Sequence, residues 1–174
     1  MDILLFDGEG YKGELAKAIP NQIVRDKLVI IQAKDDKLNR QALSKHVDIL
    51  LDPHVFRRKD YMHQRNSGLN QVLCNLAKQN DVAIGFSFSS VLNSKERTKL
   101  IGRMIQNIKL CRKYKVRMVV ASFAKSDKDT RNLKDIQSFF KVLGMTAKET
   151  NLNFVEERLE FKRKFVRKGV MLAK

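Results

Sequence analysis

Asp52 and His54 stand two residues apart, directly after the apolar run Val47-Asp48-Ile49-Leu50-Leu51. They therefore fall at the C-terminal end of an expected strand, where barrel enzymes place their chemistry. A divalent metal needs more donors than one such pair. His46, His54 and His63 have no closely spaced histidine partner, and neither His-x-His nor His-Glu-x-x-His occurs. No metal site is expected, and a structural role for Asp52 and His54 is favoured over ligation. Asp7 and Glu9, in Asp7-Gly8-Glu9-Gly10, have the spacing of an acid and base pair, but a turn that satisfies its own amides is the simpler expectation. Without a Gly-x-Ser-x-Gly elbow or a Walker-type loop, nucleophilic and nucleotide-hydrolysing chemistries have no foothold.

The basic residues carry more. The 174-residue chain has 35 Lys+Arg against 19 Asp+Glu, a formal net charge of +16 and a pI near 10.0. A folded chain bears that self-repulsion best when a polyanion relieves it, and nucleic acid is the first candidate. A membrane surface is the second, yet no apolar run approaches the ~20 residues of a bilayer span. The segment Met1 to Asp7 is too short and acidic for a signal peptide. Three groups of cations stand out: Arg57-Arg58-Lys59 with Arg65; Lys109, Arg112, Lys113, Lys115 and Arg117; and Lys162-Arg163-Lys164 with Arg167-Lys168. Aromatic residues make up 7 % of the chain, which favours contacts to phosphates and the shape of folded RNA over stacking on single-stranded bases. RNA contact is then a second role open to Asp52 and His54. The candidate RNA-binding residues are Arg57, Arg58, Lys59, Arg65, Arg103, Arg112, Lys113, Lys125, Arg131, Arg163 and Lys164, with no catalytic residue among them. Arg65 leads, because it precedes an expected helix N-terminus whose free amides would share a phosphate with its fork.

These residues need a scaffold. Leu69, Val72, Leu73, Leu76 and Ala77 fall at i, i+3, i+4, i+7 and i+8, one face of a helix capped by Asn66 or Ser67. Residues 82–86 follow as a buried parallel strand. Further strands are expected at residues 3–6, 28–31, 47–51, 116–121 and 170–172. Helices are expected at 11–19 and 35–43, and from Ser94 through a stripe of Leu100, Ile101, Met104, Ile105, Ile108 and Cys111. Lys95, Lys99, Arg103, Gln106, Lys109 and Lys113 occupy that helix's opposite side. Another helix carries Leu133, Ile136, Phe139, Phe140 and Leu143, and Thr146-Ala147-Lys148-Glu149 fits a capping box for a last helix reaching Gly169. The expected core includes Leu69, Leu73, Leu76, Ile84, Phe86, Ile101, Ile105, Ile108 and Val119. Of the two cysteines, Cys111 lies on the apolar stripe, which favours a reduced intracellular thiol over a disulfide. Strands alternating with helices predict one α/β domain over residues 1–174 with a mainly parallel sheet. About six strands are countable, so the choice lies between an incomplete barrel and an open doubly wound sheet.

An ordered series of segments then points to a family. Leu38-Asn39-Arg40, Val47-Asp48-Ile49-Leu50, Arg58-Lys59-Asp60, Ser67-Gly68-Leu69-Asn70-Gln71-Val72-Leu73 with Leu76-Ala77, and residues 80–84 resemble the barrel-like protein subunit of archaeal ribonuclease P, the protein component 3 family. Asn107-Ile108, Cys111-Arg112-Lys113-Tyr114 and Leu143-Gly144-Met145 extend the likeness, which runs from about Val29 onward. The resemblance implies a TIM-barrel-like fold. It implies a ribonucleoprotein role in tRNA processing, with ribonuclease P RNA as partner, precursor tRNA contacted indirectly, and a small α/β protein among the other subunits. The RNA subunit, with magnesium, would carry the endonuclease (hydrolase) step, the protein holding no cofactor of its own. A cytoplasmic, membrane-free setting follows. Two features depart from the family: Tyr61-Met62-His63-Gln64 looks inserted, and both terminal parts look short, so the barrel is expected to be incomplete or irregular. The rival readings are a metal-dependent phosphoesterase or nuclease on a related barrel, and a basic ribosomal-type structural protein.

Overall fold

The structure, a computed structural model, describes residues 2–5, 10–16, 18–56, 59–167 and 170–171. Six strands form its sheet: β1 (Ile3–Leu4), β2 (Tyr11–Leu15), β3 (Leu28–Gln32), β4 (Ile49–Leu51), β5 (Ala83–Ser87) and β6 (Met118–Ala121), in sequential order. Every neighbouring pair is parallel. The two edges then meet. Leu4 bridges Ala124 in parallel, the Leu5 N–H donates to the Ala124 carbonyl at 2.9 Å, and the Ser122 N–H donates to Asp2 Oδ1 at 2.9 Å. The sheet thus closes as a six-stranded barrel where a complete barrel of this kind has eight strands, and the barrel-like, mainly parallel α/β fold expected from the pattern is found.

Strand residues alternate between two apolar clusters, as a period of two requires. Ile31, Leu50, Ile84, Phe86, Met118 and Val120 face the helices α1 (Asp36–Leu43), α2 (Gln71–Gln79), α4 (Arg97–Tyr114) and α5 (Leu133–Val142). Leu28, Ile30, Ile49, Leu51, Ala83, Val119 and Ala121 lie on the face that closure turns inward. There they pack with Phe154, Val155 and Leu159 of α6 (Asn153–Lys164). Burial on both faces explains why these strands read as unbroken apolar runs. Short α3 (Phe88–Asn93) follows β5 directly, capped by the Ser87 hydroxyl.

Several sequence expectations need correction. Residues 11–15 are strand β2, not part of a helix. Pairing with β3 through Gly13↔Leu28 and Leu15↔Ile30 overrides the helix preference of Lys, Glu and Leu. The cap of α2 is Asn70, whose Oδ1 accepts the Leu73 N–H at 2.9 Å; Asn66 and Ser67 lie in the loop before it, and Val72 is exposed. Ser94 ends α3, and the long helix begins at Arg97. Leu69, Leu73, Ile84, Phe86, Ile108 and Val119 are buried as expected, whereas Leu76, Ile101 and Ile105 are only half-buried. The buried arc of α4 instead takes in Arg103 and Asn107, because a loop covers that side. Thr146 and Glu149 make the reciprocal hydrogen bonds of a capping box at 2.7 and 3.3 Å, but they close an isolated turn, and α6 starts only at Asn153. That helix ends at Lys164. Beyond it, β7 (Phe165–Arg167) pairs antiparallel with β8 (Val170–Met171) apart from the main sheet. Asp7, Glu9, Lys168, Gly169 and Leu172 lie outside the described residues.

Candidate nucleic-acid interface

The basic loop after β4 is a built element. Its ends touch: Gly68 has φ +80°, and a Cβ there would stand 1.9 Å from the Pro53 carbonyl oxygen, so no other residue closes the loop in this form. Between those ends α4 clasps it with four side-chain positions one turn apart. Arg103 donates to Asp60 Oδ1 through Nε at 2.9 Å and lies 2.8 Å away through Nη2. Gln106 Nε2 donates to the Arg65 carbonyl at 3.2 Å, and Asn107 Nδ2 to the Ser67 carbonyl at 2.9 Å. The fourth position is Gly102, where an added Cβ would meet the Arg65 guanidinium carbon at 2.7 Å. Arg65 therefore lies against the α4 backbone at Gly102, and the cap of α2 is Asn70, five residues further on. Burial pushes the Asp60 carboxyl up, but the Asn66 N–H, the Arg103 hydrogen bond and charge, and the Arg65 charge together hold it below its ordinary value. The clasp leaves Lys59, Tyr61 and Met62 exposed, Met62 at 92 %. Arg57 and Arg58 lie outside the described residues.

The other cations divide into committed and available ones. Arg103 is 9 % exposed, so its place on the solvent side of α4 is corrected: its guanidinium serves the loop. Arg112 grips both oxygens of Glu149, at 2.9 and 2.7 Å, and the Gly144 carbonyl at 2.6 Å. That hydrogen bond, with help from Thr146, holds Glu149 down at about 2 against the upward push of burial. Lys162 is buried on Asp48 and the Lys27 carbonyl, and Lys164 pairs with Glu160, so residues 162–164 do not form one basic face. Lys59, Arg65, Lys113, Lys125, Arg131 and Arg163 keep exposed side chains. Lys113 also lies over the Tyr114 ring at 5.6 Å, and Arg131 donates to the Lys128 and Thr130 carbonyls.

Asp52 and His54 sit where the loop leaves the barrel. The Asp52 backbone is left-handed, φ 50°, which turns its carboxyl onto β5, where Oδ1 accepts the Ser87 N–H at 2.8 Å. Burial raises this carboxyl to about 7, opposed by that N–H and by Lys125. His54 stacks on Phe86 with ring centroids 5.6 Å apart. Burial, reinforced by Arg103, lowers the imidazole to about 3, so it is neutral, and its Nε2 stands 3.6 Å from Asp52 Oδ1. Beside them opens a cavity of about 310 Å³, lined by residues that include Asp52, Ser87, Ser89, Leu100, Phe123 and Lys125. Among the described residues no group of three or more His, Cys, Asp or Glu side chains is placed to hold a metal ion. Sequence reasoning missed Gln106, Asn107 and the serines of β5 and α3. Asn107, a polar residue beside Ile108 in an otherwise apolar stripe, was the available signal.

The comparisons agree with this architecture. The chain is 32 % identical over 139 residues to ribonuclease P protein component 3 of Thermococcus kodakarensis, covering 78 % of this chain and 60 % of the relative. It is 32 % identical over 152 residues to the protein of the same name from Methanosarcina acetivorans, covering 82 % and 60 %. It thus spans about 60 % of the length of these curated relatives. A chain in the cryo-EM structure of archaeal ribonuclease P with mature tRNA superposes with a TM-score of 0.67 and 27 % identity, covering 84 % of this chain and 64 % of that one. Residues 14–158 match the model of the family described as RNase P subunit p30, and the chain belongs to that family.

Proposed function

We propose that the chain is an RNA-binding protein subunit of ribonuclease P, supporting the catalytic RNA in removal of the 5′ leader from precursor tRNA. The observation that carries this is the structural likeness, over 84 % of the chain, to a chain of archaeal ribonuclease P with mature tRNA. The +16 charge supplies the physical reason for an RNA partner. Lys59, Arg65, Lys113, Lys125, Arg131 and Arg163 offer exposed cations for phosphates; Arg57 and Arg58, which lie outside the described residues, complete the candidate set on their charge alone. Arg103 and Arg112 act behind them by fixing the loop and the end of α4. Residues 1–174 work as one barrel-like unit beside a small α/β subunit and other proteins of the particle, in the cytoplasm, and no helix among the described residues is long and apolar enough to cross a membrane. Magnesium belongs with the RNA.

The test is reconstitution with ribonuclease P RNA and the partner proteins. Omitting this chain lowers cleavage of precursor tRNA at limiting magnesium. Binding to the RNA alone falls on the order of 1,000-fold between 50 and 200 mM salt if ~6 phosphates are neutralised. Salt-independent binding, or recovery of the native protein with ribosomal subunits and without a tRNA-processing RNA, overturns the proposal.

A further inference from the structure

We propose that the cavity at the C-terminal mouth of the barrel binds one unstacked ribonucleotide, with its ribose hydroxyls on Asp52 and the neighbouring serines and its phosphate toward Lys125. The proposal rests on the RNA-binding reading above and adds a site to it. The mouth is assembled from five strand ends: Leu5 follows β1, Gln32 closes β3, Asp52 follows β4, Ser87 closes β5, and Phe123 and Lys125 follow β6. This is the end of a parallel barrel at which ligands bind. Its volume of about 310 Å³ lies at the small end of ligand pockets and suits one nucleoside rather than a larger group.

Backbone strain supports the same place. Asp52 and Phe123 both hold left-handed φ values, 50° and 46°, without being glycine. Such conformations persist where the surrounding structure forces them and gather at binding sites. The polar wall selects the ligand. The Ser87 and Ser89 hydroxyls touch at 2.7 Å, and the Ser87 hydroxyl also stands 3.3 Å from the Ser122 carbonyl. Asp52 is held by one backbone N–H from Ser87. Because burial lifts its carboxyl to about 7, near neutral pH it both accepts and donates hydrogen bonds. Hydroxyls and a carboxyl of this kind suit the diol of a ribose, while half-buried Leu5 and exposed Val55 offer an apolar surface to a base. A phosphate is repelled by Asp52 and Asp129 inside and met by exposed Lys125 at the rim. Val55, the first part of the clasped loop, lines the same mouth, so a strand following the loop cations passes the opening.

The experiment titrates the purified chain at fixed low salt with a short single-stranded oligoribonucleotide, the deoxyribonucleotide of the same sequence, a blunt RNA duplex and adenosine 5′-monophosphate. Loss of a ribose 2′-hydroxyl bond to a buried carboxyl corresponds to about tenfold in affinity, and that preference for the ribo strand is expected. In Asp52→Asn, which keeps an acceptor for the Ser87 N–H, and in Ser89→Leu, which fills the mouth, the preference falls below about twofold while duplex binding stays unchanged. An oligoribonucleotide carrying 4-thiouridine, photo-crosslinked to the unaltered protein, places its adduct on the peptides holding Asp52 or Phe123. Equal affinity for ribo and deoxy strands, or adducts confined to α4 and the loop, overturns the site while the duplex still binds. If neither strand nor duplex binds, the underlying RNA-binding reading fails instead. Saturation by the free monophosphate in the micromolar range, with the oligoribonucleotide no tighter, assigns the mouth to free nucleotides and overturns the RNA source.

Discussion

Asp48 and Asp52 bracket the same three-residue strand, β4, and both are buried, yet their surroundings are opposite. Asp48, at the N-terminal end of the barrel, accepts the Val29 N–H at 2.6 Å and pairs with Lys162, and Arg158 Nε stands 3.5 Å away. Both cations come from α6, which packs its apolar side against the inner face of the sheet. Asp52, at the other end, has one backbone N–H, a neutral imidazole at 3.6 Å and an open cavity. Neither nitrogen of His54 has a hydrogen-bond partner among the described residues. One end of the barrel has its buried charge neutralised and covered; the other keeps a carboxyl that resists ionisation beside space for a ligand. That division matches the general split of parallel barrels between a stabilising and a functional end.

Substitutions at the two ends should separate these roles. The largest effect is expected from Lys162→Met, which leaves the buried Asp48 charge with Arg158 at 3.5 Å as its remaining cation and should cost up to about 3–5 kcal/mol in urea unfolding. Adding Asp48→Asn should restore most of the loss, and failure to do so would show that the loss comes from the other contacts of Lys162, such as its hydrogen bond to the Lys27 carbonyl, and not from the Asp48 charge.

At the open end the expected signature is pH. Asp52 is raised from 3.8 to about 7, so its protonated form stabilises the fold below about pH 4, and this contribution is lost as pH rises through 7. His54 is lowered from 6.5 to about 3, so its contribution is present above 6.5 and lost as pH falls through 3. The two oppose each other and leave stability nearly flat between pH 4 and 6.5. Asp52→Asn removes one arm. Relative to the parent, the variant should gain about 2–4 kcal/mol between pH 4 and 8, read from denaturant midpoints. A constant difference would place Asp52 at its ordinary pKa.

Gly68→Ala forces a Cβ against Pro53 and should cost about 1–3 kcal/mol, with faster proteolysis within residues 59–64. Smallest is Lys125→Ala, expected to leave the unfolding midpoint within error. It should lower the salt slope of RNA binding by about one, and an unchanged slope would remove the mouth's rim from the RNA surface.

Much of the barrel was legible because burial on both faces writes apolar runs, and β3 to β6 with their helices appeared near their places. Residues 11–15 were not, since a short strand such as β2 looks locally like a helix until its pairing with β1 and β3 is known. The loop was legible in charge but not in geometry. Arg65 and Arg103 both looked like phosphate ligands, and only the packing of residues 59–67 on α4 shows that Arg103 is spent on Asp60. Asp48 and Lys162 are 114 residues apart, and nothing local marks them as a pair.

The barrel's seam has a kinetic consequence. β1 is two residues long and joins the far side through one bridge, the Asp2 carboxylate and a 3.5 Å hydrogen bond from the Ser122 hydroxyl to the Ile3 carbonyl, the Asp2 contact spanning 120 residues. Contacts so distant along the chain carry the largest closure entropy and so form late in folding. They are also the first to open from the native state. Native-state hydrogen exchange should therefore find the Leu5 amide exchanging through small local openings, while the Ile84 amide, in the middle of the sheet, exchanges only by global unfolding. Since Leu5 and Phe123 line the mouth on either side of that seam, each opening also widens the cavity, and anything that fills it slows the exchange of Leu5.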